Sequence, residues 1–201
     1  MTTKMRDPKG GLELDEIREP TFDSIDIDSA TAIPGSRNYF TNTQTKSEQQ
    51  TNMVQPSQFA GGVSFRCLGI GFDMQTIYPS VRKMIPLFIE HSRLKFVVAE
   101  KNYYFANLAY VAGRVESQLA VATGTAATTE VDVFQKAGDS FLLQAVFEGK
   151  HARNIPELTN FSVNILTDGL SAAELAVMTP GANEVIRTIV SLKGLKRRPV
   201  Q

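Results

Sequence analysis

Ile155-Pro156-Glu157-Leu158-Thr159-Asn160-Phe161-Ser162-Val163-Asn164-Ile165 decides the fold class of this chain. After a proline-containing lead-in, Phe161, Val163 and Ile165 alternate with Ser162 and Asn164. Period two marks a strand with one buried and one wet face, whereas a helix needs apolar residues three and four apart. The signature recurs on both sides. Residues 63–75 read as a long strand with Gly69 and Gly71 inside it, the sign of a bulge or a close backbone approach. Arg93 to Val98 is a strand, Glu100-Lys101-Asn102 a turn, and Tyr103 to Phe105 the start of the returning strand of a hairpin. Val131–Phe134 and Phe141–Phe147 are short strands around the turn Lys136-Ala137-Gly138-Asp139. The last strand is expected over Glu184–Leu192, with Val185, Arg187 and Ile189 on one face.

Helical signals are few. Pro79 opens a segment with Val81, Ile85, Phe88 and Ile89 at helical spacing, interrupted by Pro86. Ser171-Ala172-Ala173-Glu174 has the form of a capping box and predicts a short helix over 171–177. Two short helices cannot supply the crossovers of a parallel sheet. Many short strands at intervals of about ten residues predict an all-β fold, an antiparallel β-sandwich with one or two short helices in its loops.

The chain has 201 residues, and its character changes at Gly61-Gly62. Residues 1–60 are acidic, then polar; Thr41 to Ser57 is a low-complexity polar run without a strand or helix period. A segment that buries little apolar surface does not offset its own ordering entropy. Residues 1–60 are therefore expected as an extended N-terminal arm, and residues 61–201 as the sandwich domain. Two outcomes are open to the arm: ordering on neighbouring subunits, the preferred reading, or packing back on its own domain. On the preferred reading its anchors are Phe22, Ile25, Ile27, Tyr39, Phe40 and Phe59.

Net charge is zero but unevenly spread. Glu13, Asp15, Glu16, Glu19, Asp23, Asp26 and Asp28 face only Arg18 near the front, whereas Arg187, Lys193, Lys196, Arg197 and Arg198 crowd the end. Lys196, Arg197 and Arg198 are expected to meet the acids of another copy. A weak contact of this basic end with nucleic acid or a membrane surface is the competing reading, and a merely solvated charge run is the bland one.

Little in the sequence carries catalysis. It has no phosphate loop, dinucleotide-binding glycine fingerprint, nucleophile elbow or HExxH helix. His91 and His151 lie far apart and, with the single Cys67, do not make a zinc site. Asp23, Asp26 and Asp28 lack the glycine and the closing glutamate of a calcium loop. Cys67 shares a strand face with Val63 and Phe65 and reads as a small buried side chain; alone, it makes no disulfide. Tyr103, Tyr104, Phe105 and Tyr110, with Lys95, Lys101 and Asn102, form either a base-stacking platform or, preferably, core and sheet aromatics. The expectation is no enzyme, no cofactor, no metal and no small-molecule substrate. Met1-Thr2-Thr3-Lys4 opens no apolar signal segment, so synthesis in the cytoplasm is expected.

Three stretches together carry a resemblance. They are Phe65-Arg66-Cys67-Leu68-Gly69-Ile70-Gly71-Phe72, then Leu94–Val98 with Tyr103-Tyr104-Phe105, then Ile155–Val163. In this order, closed by a last strand and Arg198-Pro199-Val200-Gln201, they resemble jelly-roll structural (capsid) proteins of bacteriophage virions. The resemblance implies a β-sandwich, no catalysis and an N-terminal arm that ties subunits together. The chain is too short for two jelly rolls, so a single one is implied. The expected function is a capsid subunit in a virion, whose partners are copies of itself and other virion proteins. Two alternatives stand beside it. One is a β-sandwich binding module of a phage tail, fibre or vertex, or a carbohydrate-binding domain; the other is a small hydrolase with an unrecognised site.

Overall fold

The computed structural model describes residues 2–6, 13–30, 35–76, 78, 81, 84–108, 117–119, 133–135 and 152–199. Its strands are β1 (Thr2–Arg6), β2 (Glu13–Ile17), β3 (Thr21–Ile27), β4 (Gly35–Tyr39), β5 (Ser64–Gln75), β6 (Ser92–Val98), β7 (Lys101–Asn107), β8 (Ser117–Leu119), β9 (Val133–Gln135), β10 (Arg153–Ile155), β11 (Phe161–Thr167) and β12 (Ile186–Pro199). Among the described residues two short helices, α1 (Met84–His91) and α2 (Ala172–Val177), lie in the connections. The strands make two antiparallel sheets, an all-β sandwich, with β8 and β9 as a separate ribbon. One sheet runs β1-β2-β12-β5-β10, with β3 also on β12; the other runs β4-β11-β6-β7. The calls on Phe141–Phe147, the turn at 136–139, Tyr110 and His151 lie outside the described residues.

The deciding stretch behaves as its alternation requires. β11 turns Phe161, Val163, Ile165 and Thr167 inward and Ser162, Asn164 and Leu166 partly outward. It lies between β4 and β6, pairing Val163 with both Tyr39 and Phe96. The hairpin also forms, one residue earlier than read: Val98 pairs with Lys101, and Ala99-Glu100 is the two-residue loop, both at positive φ. Such loops match the right-handed twist of the strands they join. The capping box is complete: Ser171 Oγ accepts from Glu174 N, and Glu174 Oε2 accepts from Ser171 N.

The arm is where the structure departs from expectation. The boundary at Gly61-Gly62 does not separate an extended arm from a domain. β3 pairs with β12 from Thr21↔Leu192 to Ile27↔Ile186, and β4 pairs with β11. Ile27, Tyr39, Phe40, Met53 and Phe59 belong to the same buried core as Phe65, Phe96 and Val163. The physical reason is an inward face that carries polar groups with partners. On β3 the inward residues include Thr21 and the fully buried Asp23. Both Asp23 oxygens accept from Lys46 Nζ at 2.8 Å, and Oδ2 also accepts from Phe40 N at 2.6 Å. A buried carboxylate is tolerable only when paired and hydrogen-bonded in this way. Lys46 comes from the polar run 41–57, which is thereby fastened over the start of β3. Backbone bonds Ser24 N→Gln50 O and Asn52 N→Phe22 O continue that fastening.

The core joins the sheets through aromatic rings. Phe40 lies 5.4 Å from Phe161, Phe161 5.1 Å from Phe59, and Phe59 5.3 Å from Phe65, ring centre to ring centre. These four come from the end of β4, the start of β11, the 41–60 connection and the start of β5. Farther along, Tyr39 donates to Thr188 Oγ1 (2.5 Å), which donates onward to Ile25 O. The last strand places Arg187 and Ile189 on one face, as expected. Ile186, Thr188, Val190 and Leu192 point inward, while Arg187 and Ile189 lie on the outer face. β12 also runs seven residues beyond the expected end, through the basic run to Pro199.

β5 and β12 cross a bulge between Lys193 and Gly194, at the glycine-rich stretch of β5. Cys67 is buried there, as expected, and burial pushes its thiol up to about 12. No helix among the described residues is long and apolar enough to cross a membrane.

Candidate subunit interface

Of the expected contact residues, Ile27, Tyr39, Phe40 and Phe59 are buried in the chain's own core, and Phe22 and Ile25 are half-buried in β3. They hold the sandwich together and are not offered to a neighbour. This corrects their assignment as subunit anchors.

The charged ends meet as well, but within one chain. β2 continues the line of β3 along β12, interrupted by Arg18-Glu19-Pro20. Ile17 sits opposite Lys196, Glu16 opposite Arg197 and Asp15 opposite Arg198. Arg197 Nε donates to Glu16 Oε2 at 2.7 Å, and Lys196 Nζ lies 3.5 Å from Glu19. Nearer the core, Arg187 makes two bonds to Asp26, at 2.8 and 3.1 Å, which raise the guanidinium's already high pKa. The acidic front and basic end are therefore complementary, as their signs suggested, but as adjacent strands of one sheet. Of the three basic residues expected to reach another copy, only Arg198 is exposed. The basic end is thus a smaller anion-binding patch than its composition implies.

Among the described residues, two surfaces remain. The first is the β1–β2 hairpin, which extends the larger sheet beyond the two-layered core and places β1 outermost. An outermost strand presents backbone groups along its free edge. The second is one end of the sandwich. There the connection 40–62, the Ala99-Glu100 turn and the segment 156–160 converge through Ser57 N→Phe40 O, Phe161 N→Ser57 O, Leu158 N→Phe59 O and Ala99 N→Asn160 O. Glu157 accepts from the backbone N–H of Gly62 across the same end. These loops carry the exposed apolar side chains Val54 (88 %) and Leu158 (61 %). Phe40, Ser57 and Leu158, none of them glycine, all have positive φ there.

Other candidates have settled roles. His91, at the end of α1, lies 3.3 Å from Glu174 of α2. Hydrogen bonds from Ser171 hold the Glu174 carboxyl below its usual range, with a smaller contribution from His91. Tyr103 is partly exposed on β7, and the Arg153 guanidinium lies 5.1 Å over one face of its ring. Among the described residues no group of three or more His, Cys, Asp or Glu is placed to hold a metal ion. No protein-family model, curated protein or solved structure matches the chain.

Proposed function

We propose that this chain is a virion structural protein, a capsid subunit folded as a single jelly roll. One observation carries the reading: the order in which the strands pair. Leaving aside the β1–β2 hairpin and the β8–β9 ribbon, eight strands remain: β3, β4, β5, β6, β7, β10, β11 and β12. The first pairs with the eighth, the second with the seventh, the third with the sixth and the fourth with the fifth. That is one long antiparallel hairpin. Rolling it up adds the pairs β5·β12 and β6·β11 and divides the strands into the sheets β3-β12-β5-β10 and β4-β11-β6-β7. This winding supports the reading as a jelly roll, an architecture used by viral capsid and lectin domains.

Fold alone does not assign function. The choice of shell subunit over binding module is supported by the two surfaces left over, a sheet edge extended by a hairpin and an end bearing exposed Val54 and Leu158. Both suit contacts with further copies and with other virion proteins. On this reading the protein is made in the host cytoplasm and resides in the virion. Assembly proceeds by burying these surfaces at contacts repeated by symmetry, where many weak contacts act together. Light scattering of the purified chain over a concentration series tests the proposal. Growth into large species of limited size is expected; a monomer or trimer at every concentration would favour the binding-module reading.

A further inference from the structure

We propose that Lys46 and Asp23 join covalently, through an isopeptide bond between Lys46 Nζ and Asp23 Cγ. Nζ stands 2.8 Å from both carboxylate oxygens. Equal distances of that size hold it no farther than about 3.2 Å from Cγ, within the separation of reacting atoms that amide formation needs. The Asp23 side chain is 0 % exposed and the Lys46 side chain 15 %, so water is largely excluded. A third group is aimed at the same carboxyl: Phe40 N donates to Oδ2 at 2.6 Å. Phe40 reaches that position with φ at 68°, a conformation unusual for a bulky residue and common at sites where backbone is held for a purpose. The arrangement supplies a nucleophile, an electrophile and a fixed donor for the oxygen on which negative charge develops.

The step balances without any other reagent. A proton passes from the ammonium to the carboxylate across their existing hydrogen bond, leaving amine and carboxylic acid. Nζ attacks Cγ and forms the N–C bond, while Phe40 N–H holds the oxygen of the tetrahedral intermediate. One C–O bond then breaks. Its oxygen leaves as water, carrying the carboxyl proton and a second proton from nitrogen. The product is a neutral amide, which replaces two buried charges that are costly to keep out of water. The bond would staple the 41–60 connection, which contributes Met53 and Phe59 to the core, onto β3. A covalent ring of this kind stabilises chiefly by restricting the unfolded chain.

Intact-mass spectrometry of the full-length folded protein, fresh and after long incubation, tests the proposal. The expected mass is lower than the sequence mass by one water. Tryptic digestion should give one branched peptide joining Asp23 to Lys46, with no cleavage after Lys46. The Lys46→Arg variant, checked for folding by circular dichroism, should keep the full mass. Three results would each overturn the inference: a folded wild-type chain at full mass after incubation, water loss without the branched peptide, or water loss persisting in Lys46→Arg.

Discussion

Replacing Gly194 with alanine tests the crossing of the two longest strands. A Cβ built on Gly194 would stand 2.1 Å from the carbonyl oxygen of Arg66 and 2.9 Å from two carbons of the Phe65 ring. The ring has some freedom, but the carbonyl belongs to β5, which is laddered to β12 on both sides of the bulge. Restoring ordinary contact would move the strands apart by about 1.3 Å, and overpacking of a fixed site costs about 1–3 kcal/mol by itself. β12 is also held by β2 and β3 along its other edge, so it cannot simply slide away. Losing one or two ladder bonds adds about 1 kcal/mol each, for a total of about 2–5 kcal/mol. That is a large part of the roughly 5–15 kcal/mol available to a domain. Urea unfolding followed by far-ultraviolet circular dichroism measures the difference. Gly61→Ala is the control, because its Cβ would meet nothing closer than Glu157 Oε2 at 4.0 Å, and it should change stability by less than about 0.5 kcal/mol. If Gly194→Ala matched the wild type within about 1 kcal/mol, the close approach of β5 and β12 and the register on either side of it would be refuted.

Three further outcomes follow from the same geometry. The buried Cys67 thiol should resist a disulfide reagent at mildly alkaline pH until denaturant unfolds the chain. Its pKa rises from about 8.5 in an unfolded chain to about 12 when folded. Its contribution is therefore fully present below the unfolded value and lost as pH rises towards the folded one; Cys67→Ala should flatten the alkaline decline in stability relative to wild type. Phe161→Ala, which removes a ring stacked on Phe59 and tilted against Phe40, should cost about 3–5 kcal/mol by equilibrium unfolding, and a change under about 1 kcal/mol would place that ring outside the core. Deleting residues 1–17 should leave a cooperatively folded sandwich, whereas deleting residues 1–60 should abolish cooperative thermal unfolding by removing β3, β4 and part of the core; a folded, cooperative 61–201 fragment would reinstate the arm.

The elements that could be read from the sequence are those in which one rule acts alone. β11 alternates cleanly, α2 begins with a complete capping box, and the β6–β7 hairpin is short and local. The misread elements carry polar residues on their inner faces. Asp23 in β3, Arg37 beside Tyr39 in β4 and Thr188 in β12 are all buried, and each breaks the alternation that marks a strand. Their partners lie far along the chain: Lys46 for Asp23, the ring of Phe88 under Arg37, and Tyr39 for Thr188. A local pattern cannot show a charge neutralised from a distance, so residues 21–60 read as a polar arm. The interface suffered the same fate. Opposite charges at the two ends gave a true signal of contact, but sign alone does not say whether the contact lies within a chain or between chains. The register decides it: Glu16 lies in β2, directly opposite Arg197 of β12 in the same chain.

The central claim, a jelly-roll subunit that builds a shell from copies of itself, is tested most directly by negative-stain electron microscopy of the purified full-length chain. The account predicts closed particles of uniform size. A field of isolated subunits at every protein concentration and ionic strength would contradict it.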